Sequence, residues 1–169
     1  MNLLWTSDAL VSAVSGRPVG TMPEGVTGIS IDSRTLKPGE AFFAIKGDRF
    51  DGHDYATAAM KAGASLLVVA ESRLPALGRV AMPMIVVPDV LDALRKAGIA
   101  ARARARARII AVTGSAGKTT TKDMLREVLS ASGSVHAADR SFNNHWGVPL
   151  TLARMPADSD FAIFEIGMN

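Results

Sequence analysis

The chain has 169 residues, 48% of them hydrophobic, with a formal net charge of +3 and no cysteine. That length suffices for one full core, or for a small domain plus part of another, and the missing cysteines exclude disulfides and thiolate metal sites. The opening MNLLWTSDAL lacks a basic leader, and no stretch approaches ~18 uninterrupted apolar residues, so a soluble cytoplasmic protein without membrane insertion is expected.

The first element in chain order is a short helix over residues 6–15. Thr6 or Ser7 caps it, Leu10 and Val14 stand one turn apart, and Gly16 terminates it. GISI (28–31) and AFFAI (41–45) are β-prone runs separated by the turn-like KPGE (37–40). His53 to Ala62 reads as a helix, SLLVVA (65–70) and MIVV (84–87) as apolar strands, and Val90 to about Arg106 as a long helix. Fully apolar strands spaced by helices argue for an α/β sheet covered on at least one face.

Arg102, Arg104, Arg106 and Arg108 alternate with alanines and hold much of the basic excess. On a helix, a period of two throws successive arginines to opposite sides, so a solvated helix end is expected, with no nucleic-acid partner. No base-stacking aromatic lies nearby. A second cycle then begins, with a boundary placed near residue 107. RIIAVTG (108–114) reads as a strand, Lys118 to about Ala131 as a helix, HWGVPLTLARM (145–155) as another, and DFAIFEIG (160–167) as a last strand. Two strands leave a parallel sheet with unmatched edges. Either they join the first sheet, or the chain is a piece of something longer.

The stretch VTGSAGKTTTKD (112–123) sits between an apolar strand and a helix, the setting a phosphate-binding loop requires. Its spacing is compressed, because Val112 stands where the common pattern has its first glycine. Gly114 and Gly117 allow the tight turn that aims backbone N–H groups, Ser115 and Ala116 included, at an anion over the helix N-terminus. Lys118 supplies a point charge for β- and γ-phosphates, Thr119 a hydroxyl suited to Mg²⁺, and Thr120 or Thr121 a further hydrogen bond. Glu165, at the end of FAIF, is either a Mg²⁺ ligand beside the loop or a strand-end carboxylate facing water. Asn143, Asn144 and His145 precede a helix and are either ligand contacts or ordinary turn and cap residues.

A second polar cluster spans residues 32–55. Turns at Pro38-Gly39, Gly47 and Gly52 gather Ser33, Arg34, Lys46, Asp51 and His53, a set suited to an anionic or hydroxyl-rich ligand, or to a solvated loop. His53 could equally start the helix that follows.

These residues carry a specific resemblance. DSR, PGEAFFAIKG and DGHDY resemble the substrate-binding N-terminal domain shared by two Mur ligases of peptidoglycan synthesis, and TGSAGKTT is similar to that family's ATP loop, whose normal form lacks the usual first glycine. NNHWGVPLTL and the terminal EIGMN favour the member that adds D-alanyl-D-alanine (D-Ala-D-Ala) to the UDP-N-acetylmuramoyl tripeptide (UDP-MurNAc-tripeptide). The resemblance implies a UDP-substrate domain over residues 1–107, then the beginning of a P-loop-type parallel-sheet ATPase domain over 108–169, with the rest of a three-domain monomeric enzyme beyond.

It also implies roles. Gly114, Ser115, Ala116, Gly117, Lys118, Thr119 and Thr120 bind ATP phosphates, Lys118 stabilises the transferred charge, and Thr119 and Glu165 hold Mg²⁺. Asn143 and Asn144 face nucleotide or substrate, and Ser33, Arg34, Lys46, Asp51, Gly52 and His53 sit at the UDP moiety. Alternatives are the neighbouring ligase that adds the third amino acid, and a non-catalytic UDP-sugar or nucleotide-binding module. The chain by itself is expected to bind without full turnover.

Overall fold

The computed structural model describes residues 2–78, 80–138 and 142–167. The chain divides into two compact units, Met1–Ala97 and Gly98–Asn169.

In the first unit, β1 (Trp5–Thr6) leads into α1 (Ser7–Val14), followed by β2 (Arg17–Val19), β3 (Gly25–Val26), β4 (Ile29–Ser30) and β5 (Ala41–Phe43). Then come α2 (Ala56–Lys61), β6 (Leu66–Ala70), β7 (Met84–Val87) and α3 (Val90–Arg104), which runs on into the second unit. The main sheet has the order β2-β7-β6-β5-β4, parallel from β4 to β7, with β2 antiparallel at the edge. Its inner strands are apolar throughout because both faces are covered: Leu66 to Val69 and Met84 to Val87 are all buried. Phe42 and Phe43 point to opposite faces of β5 and are both buried, each worth about 2 kcal/mol relative to exposure.

Helix α1 forms as expected, with the Thr6 Oγ1 accepting from the Ala9 N–H at 3.3 Å. Its stop differs. The left-handed residue is Ser15 (φ 53°), not Gly16. Gly16 serves packing instead, since a Cβ there would lie 2.3 Å from Ile85 Cγ2 on β7. The helix expected from His53 is split into a 3-10 turn over Gly52–Tyr55 and the shorter α2. A second 3-10 stretch, Glu71–Leu77, and the short β1, β2 and β3 carry no pattern long enough to read from sequence.

The second unit contains β8 (Arg108–Val112), α4 (Lys118–Ser130), β9 (Val135–Ala137), α5 (Gly147–Ala153) and β10 (Phe161–Glu165). The strands form their own parallel sheet, β8-β10-β9, so they do not join the first sheet. β9 is the strand the sequence reading lacked. With only VHA it offers no periodicity, and its place comes from pairing with β10. One face is packed by Ala105, Ala107, Met155, Ala162 and Phe164.

Helix α3 ends at Arg104 rather than Arg106. Beyond it the alternation sorts by burial, with Ala105 and Ala107 inside and Arg106 and Arg108 outside. The expectation of arginines thrown to opposite sides of a helix is therefore corrected: Arg104, Arg106 and Arg108 line one open groove with Ser132, Asp158 and Asp160.

Candidate functional site

The strand-to-helix turn of the second unit adopts the geometry that its glycines permit. Gly114 and Gly117 both have positive φ, 148° and 76°, and no atom lies within 4 Å of a Cβ built on Gly117. Glycine is needed there for backbone conformation alone. Ser115, Ala116 and Gly117 are exposed, and α4 starts at Lys118 with Gly117 as its cap residue. The Gly117 side of the turn carries no capping side chain. First-turn N–H groups of a helix have no partner within it, and they form an anion-binding end. The Lys118 ammonium folds back and donates to the Gly114 carbonyl at 2.6 Å.

Glu165 is the centre of the site. Register pairs it with Val112, the last residue of β8, so its carboxylate arises at the C-terminal end of the sheet beside the loop. It is only 4% exposed, and a buried carboxylate is costly unless bonded. Both oxygens are engaged: Thr119 Oγ1 donates to Oε2 at 3.0 Å and Asn143 Nδ2 donates to Oε1 at 2.8 Å. The open alternative of a carboxylate facing water does not hold. Asn143 is fixed in turn by its carbonyl, which accepts from the Gly167 N–H at 2.8 Å.

Asn144 goes elsewhere. Its Oδ1 accepts from the Gly147 N–H at 2.8 Å, which holds the start of α5. This side-chain oxygen works as a turn and cap acceptor, the second of the two roles open from sequence. Thr113 Oγ1 donates to the Ile166 carbonyl at 3.2 Å, tying the loop's entry to the end of β10. The terminal Met168 and Asn169 of the EIGMN stretch, and Ser141 before Asn143, lie outside the described residues.

The cluster of the first unit forms at the C-terminal ends of β4 and β5, neighbouring parallel strands, where ligands of open α/β sheets gather. Lys46, Asp51 and His53 line a small concavity with Ser72, Arg73 and Asp89. Ser33 and Arg34 do not line it. They occupy the turn after β4, where Asp32 accepts from the Arg34 Nε at 2.9 Å and from a terminal guanidinium nitrogen at 2.7 Å. That bidentate pair raises the Arg34 pKa.

His53 is buried and occupied on both ring nitrogens. Nε2 accepts from the Ala70 N–H at 2.9 Å, so the proton sits on Nδ1, which faces Asp51 Oδ1 at 2.5 Å. The expected ligand contact from this ring is corrected on that ground: His53 pins the turn to the end of β6. Gly52 has a packing role too, because a Cβ there would lie 2.7 Å from Ala44 C and Ile45 N. Arg73, absent from the sequence reading, donates to Asp51 Oδ2 at 2.9 Å and to Asp54 at 3.3 Å. Nothing in ESRLPAL distinguishes it from a solvated arginine.

Desolvation pushes the Asp51 pKa up, but the hydrogen bonds from the His53 ring and amide, with the charge of Arg73, outweigh it. The net shift is downward.

Among the described residues, no helix is long and apolar enough to cross a membrane. Residues 25–102 match the model described as "Mur ligase family, catalytic domain", and residues 112–169 match "Mur ligase middle domain". The chain is 39% identical over 149 residues to the UDP-N-acetylmuramoyl-tripeptide--D-alanyl-D-alanine ligase of Bacillus subtilis (strain 168), covering 85% of this chain and 31% of the relative. For the enzyme of the same name from Escherichia coli (strain K12) the identity is 37%, with coverage of 83% and 30%. The chain thus spans under a third of the length of these relatives.

Among solved structures, MurF from Acinetobacter baumannii superposes with a TM-score of 0.82 at 33% identity, over 98% of this chain and 36% of that one. MurF ligase from Thermotoga maritima, in complex with ADP, gives 0.61 at 28% identity, over 83% and 32%. With the loop, the strand-end carboxylate and the first-unit turns all inside the matched segments, the chain belongs to the Mur ligase family.

Proposed function

We propose that this chain supplies the UDP-substrate unit and the phosphate-binding half of the ATPase unit of an ATP-dependent ligase. The ligase joins D-Ala-D-Ala to UDP-MurNAc-tripeptide in cytoplasmic peptidoglycan precursor synthesis. The observation that carries the reading is the convergence of Thr119, Asn143 and Glu165 at the C-terminal edge of β8 and β10, directly after the glycine turn.

In the reaction, a carboxylate oxygen of the tripeptide bonds to the γ-phosphorus of ATP while the bond from that phosphorus to the bridging oxygen breaks, releasing ADP. The dipeptide amine then attacks the acyl carbon, loses its proton, and expels inorganic phosphate. Neither step needs covalent help from the protein, so its work is positioning and charge stabilisation. The N–H groups of Ser115 to Thr120 hold the phosphates. Lys118 exchanges the Gly114 carbonyl for phosphate oxygens, a short swing for a side chain already over the loop.

The hydroxyl of Thr119 and the carboxylate of Glu165 are a hard-oxygen pair that fits Mg²⁺. Mg²⁺, when bound there, offsets the charge that builds on the β- and γ-phosphates. Asn143 orients Glu165 from its other oxygen. In the first unit, Lys46 presents its ammonium to the UDP moiety from the concavity that Asp51, Gly52 and His53 hold in shape, and Ser33 and Arg34 present polar groups from the neighbouring turn after β4.

Calorimetry with UDP-MurNAc-tripeptide and, separately, Mg·ATP tests the reading. Heat from the tripeptide titration that is lost on changing Lys46→Ala supports the substrate assignment. Absence of heat from both titrations would overturn the site assignments. An alternative, the ligase that adds the third amino acid, predicts instead that a UDP-muramoyl dipeptide binds more tightly than the tripeptide.

A further inference from the structure

At the end of the second unit's sheet away from the glycine turn, where β8 and β10 begin, lies an open groove of about 820 Å³. Arg106 and Arg108 line it from one segment, and Asp158, Ser159 and Asp160 from the segment beside them. The buried Ala105 and Ala107 give the arginine stretch the period of an extended chain, which spaces the two side chains roughly 6.5 Å apart. Opposite charges lie close here without pairing. Among the described residues, neither arginine forms an ion pair, and Asp160 accepts instead from the Ser134 N–H at 2.8 Å and the Ser134 hydroxyl at 2.9 Å. Ser159 is the sharper sign: it is only 6% exposed, and its hydroxyl makes no hydrogen bond although it lines the groove. A buried hydroxyl left unbonded is a standing cost that a bound acceptor removes.

We propose that this groove docks an extended acidic segment of a partner protein, whose carboxylates at alternate positions meet Arg106 and Arg108 while a backbone carbonyl accepts from the Ser159 hydroxyl. The pitch matches, because alternate side chains of an extended strand repeat at the spacing of the two arginines. Each guanidinium can take a carboxylate in two parallel bonds. A polyphosphate fits less well: its continuous negative charge would run against Asp158 and Asp160, to which a peptide offers its own N–H groups. A second copy of the chain fits less well too, since a two-fold interface needs a self-complementary face and this one is concave. Val112 and Glu165 stand at the other end of the same strands, so the docking does not depend on the nucleotide reading.

Fluorescence polarisation with a labelled decapeptide of alternating glutamate and threonine tests the proposal, beside a peptide of the same composition with its glutamates in one block and a labelled thymidine oligonucleotide. Wild type should bind the alternating peptide saturably and about tenfold more tightly than the block peptide. Arg106→Gln and Arg108→Gln should each weaken that binding about tenfold, and Ser159→Ala about threefold, as charged and neutral hydrogen bonds imply. Arg102→Gln, the same charge change on an exposed residue outside the groove, should leave it within about twofold. In NMR the amide shifts caused by the peptide should gather at 106–108 and 157–161.

Absence of saturable binding would overturn the inference. Equal affinity for the two peptides, or an equal loss in Arg102→Gln and Arg106→Gln, would also overturn it, because both are signs of diffuse attraction. Tighter capture of the oligonucleotide would make the groove a nucleic-acid surface, and a dimer in sedimentation that Arg106→Gln dissolves would make it a contact between copies. Either result would likewise reject the acidic segment.

Discussion

The two polar clusters of this chain satisfy their charges in opposite ways. In the first unit, Asp51, His53 and Arg73 close on one another and on the Ala70 amide, which completes a scaffold around the turn. In the second, Lys118 rests on a carbonyl of its own loop, Ser115 to Gly117 stand in solvent, and Thr119 reaches the buried Glu165. The first arrangement is finished without a ligand. On the proposed reading, the second holds internal partners whose places a phosphate and a cation would take. Changes in the first cluster should therefore appear as stability, and changes in the second as affinity.

Lys118→Met should break that comparison most sharply if it is wrong. It is expected to weaken Mg·ATP binding about 100-fold, the equivalent of about 2.7 kcal/mol, with the melting temperature nearly unchanged; titration and calorimetric melting check both. Gly52→Ala should do the reverse. Its Cβ meets the backbone of Ala44 and Ile45, so a loss of about 2–3 kcal/mol in denaturant unfolding is expected, with nucleotide affinity intact.

His53→Ala removes the partner of Asp51 and leaves the Ala70 N–H unmet. About 2 kcal/mol of destabilisation should follow in urea unfolding. Gly117→Ala marks the limit of the comparison, because in the second cluster it acts on the backbone and not on a charge. No atom obstructs the methyl group, so only the left-handed backbone opposes it, at about 1 kcal/mol, measurable by thermal unfolding.

The smallest effect concerns pH. The folded pKa of Asp51 is lowered from 3.8, so the stability it adds is fully present above that value and is lost as pH falls through the folded one. Asp51→Asn should flatten this part of the acid-unfolding curve and leave the neutral region with a constant offset.

Much of this was legible in the chain because its signals are dense. VTGSAGKTTTKD names its own backbone geometry, and the apolar runs at 66–69 and 84–87 admit little besides buried parallel strands. Where expectation failed, the deciding contacts lie far apart in sequence. The helix stop falls on Ser15, while Gly16 packs against Ile85, some seventy residues away in sequence. The VHA strand exists through its pairing with β10. The Arg/Ala run was read on a helix that stops at Arg104, and only then does its period of two sort alanines inward and arginines outward. Asn143 and Asn144, adjacent and identical in type, separate into a carboxylate partner and a helix-start acceptor, a distinction that composition has no means to express.

The most direct measurement is an amide NMR titration of the chain with ADP, with and without Mg²⁺. Perturbation concentrated at Gly114 to Thr120, strengthened by Mg²⁺ in wild type and no longer Mg²⁺-dependent in Glu165→Gln, is the predicted result. Perturbation confined to other surfaces such as the Arg106 groove, or the same Mg²⁺ response in both proteins, would contradict a nucleotide site built on the turn and its strand-end carboxylate.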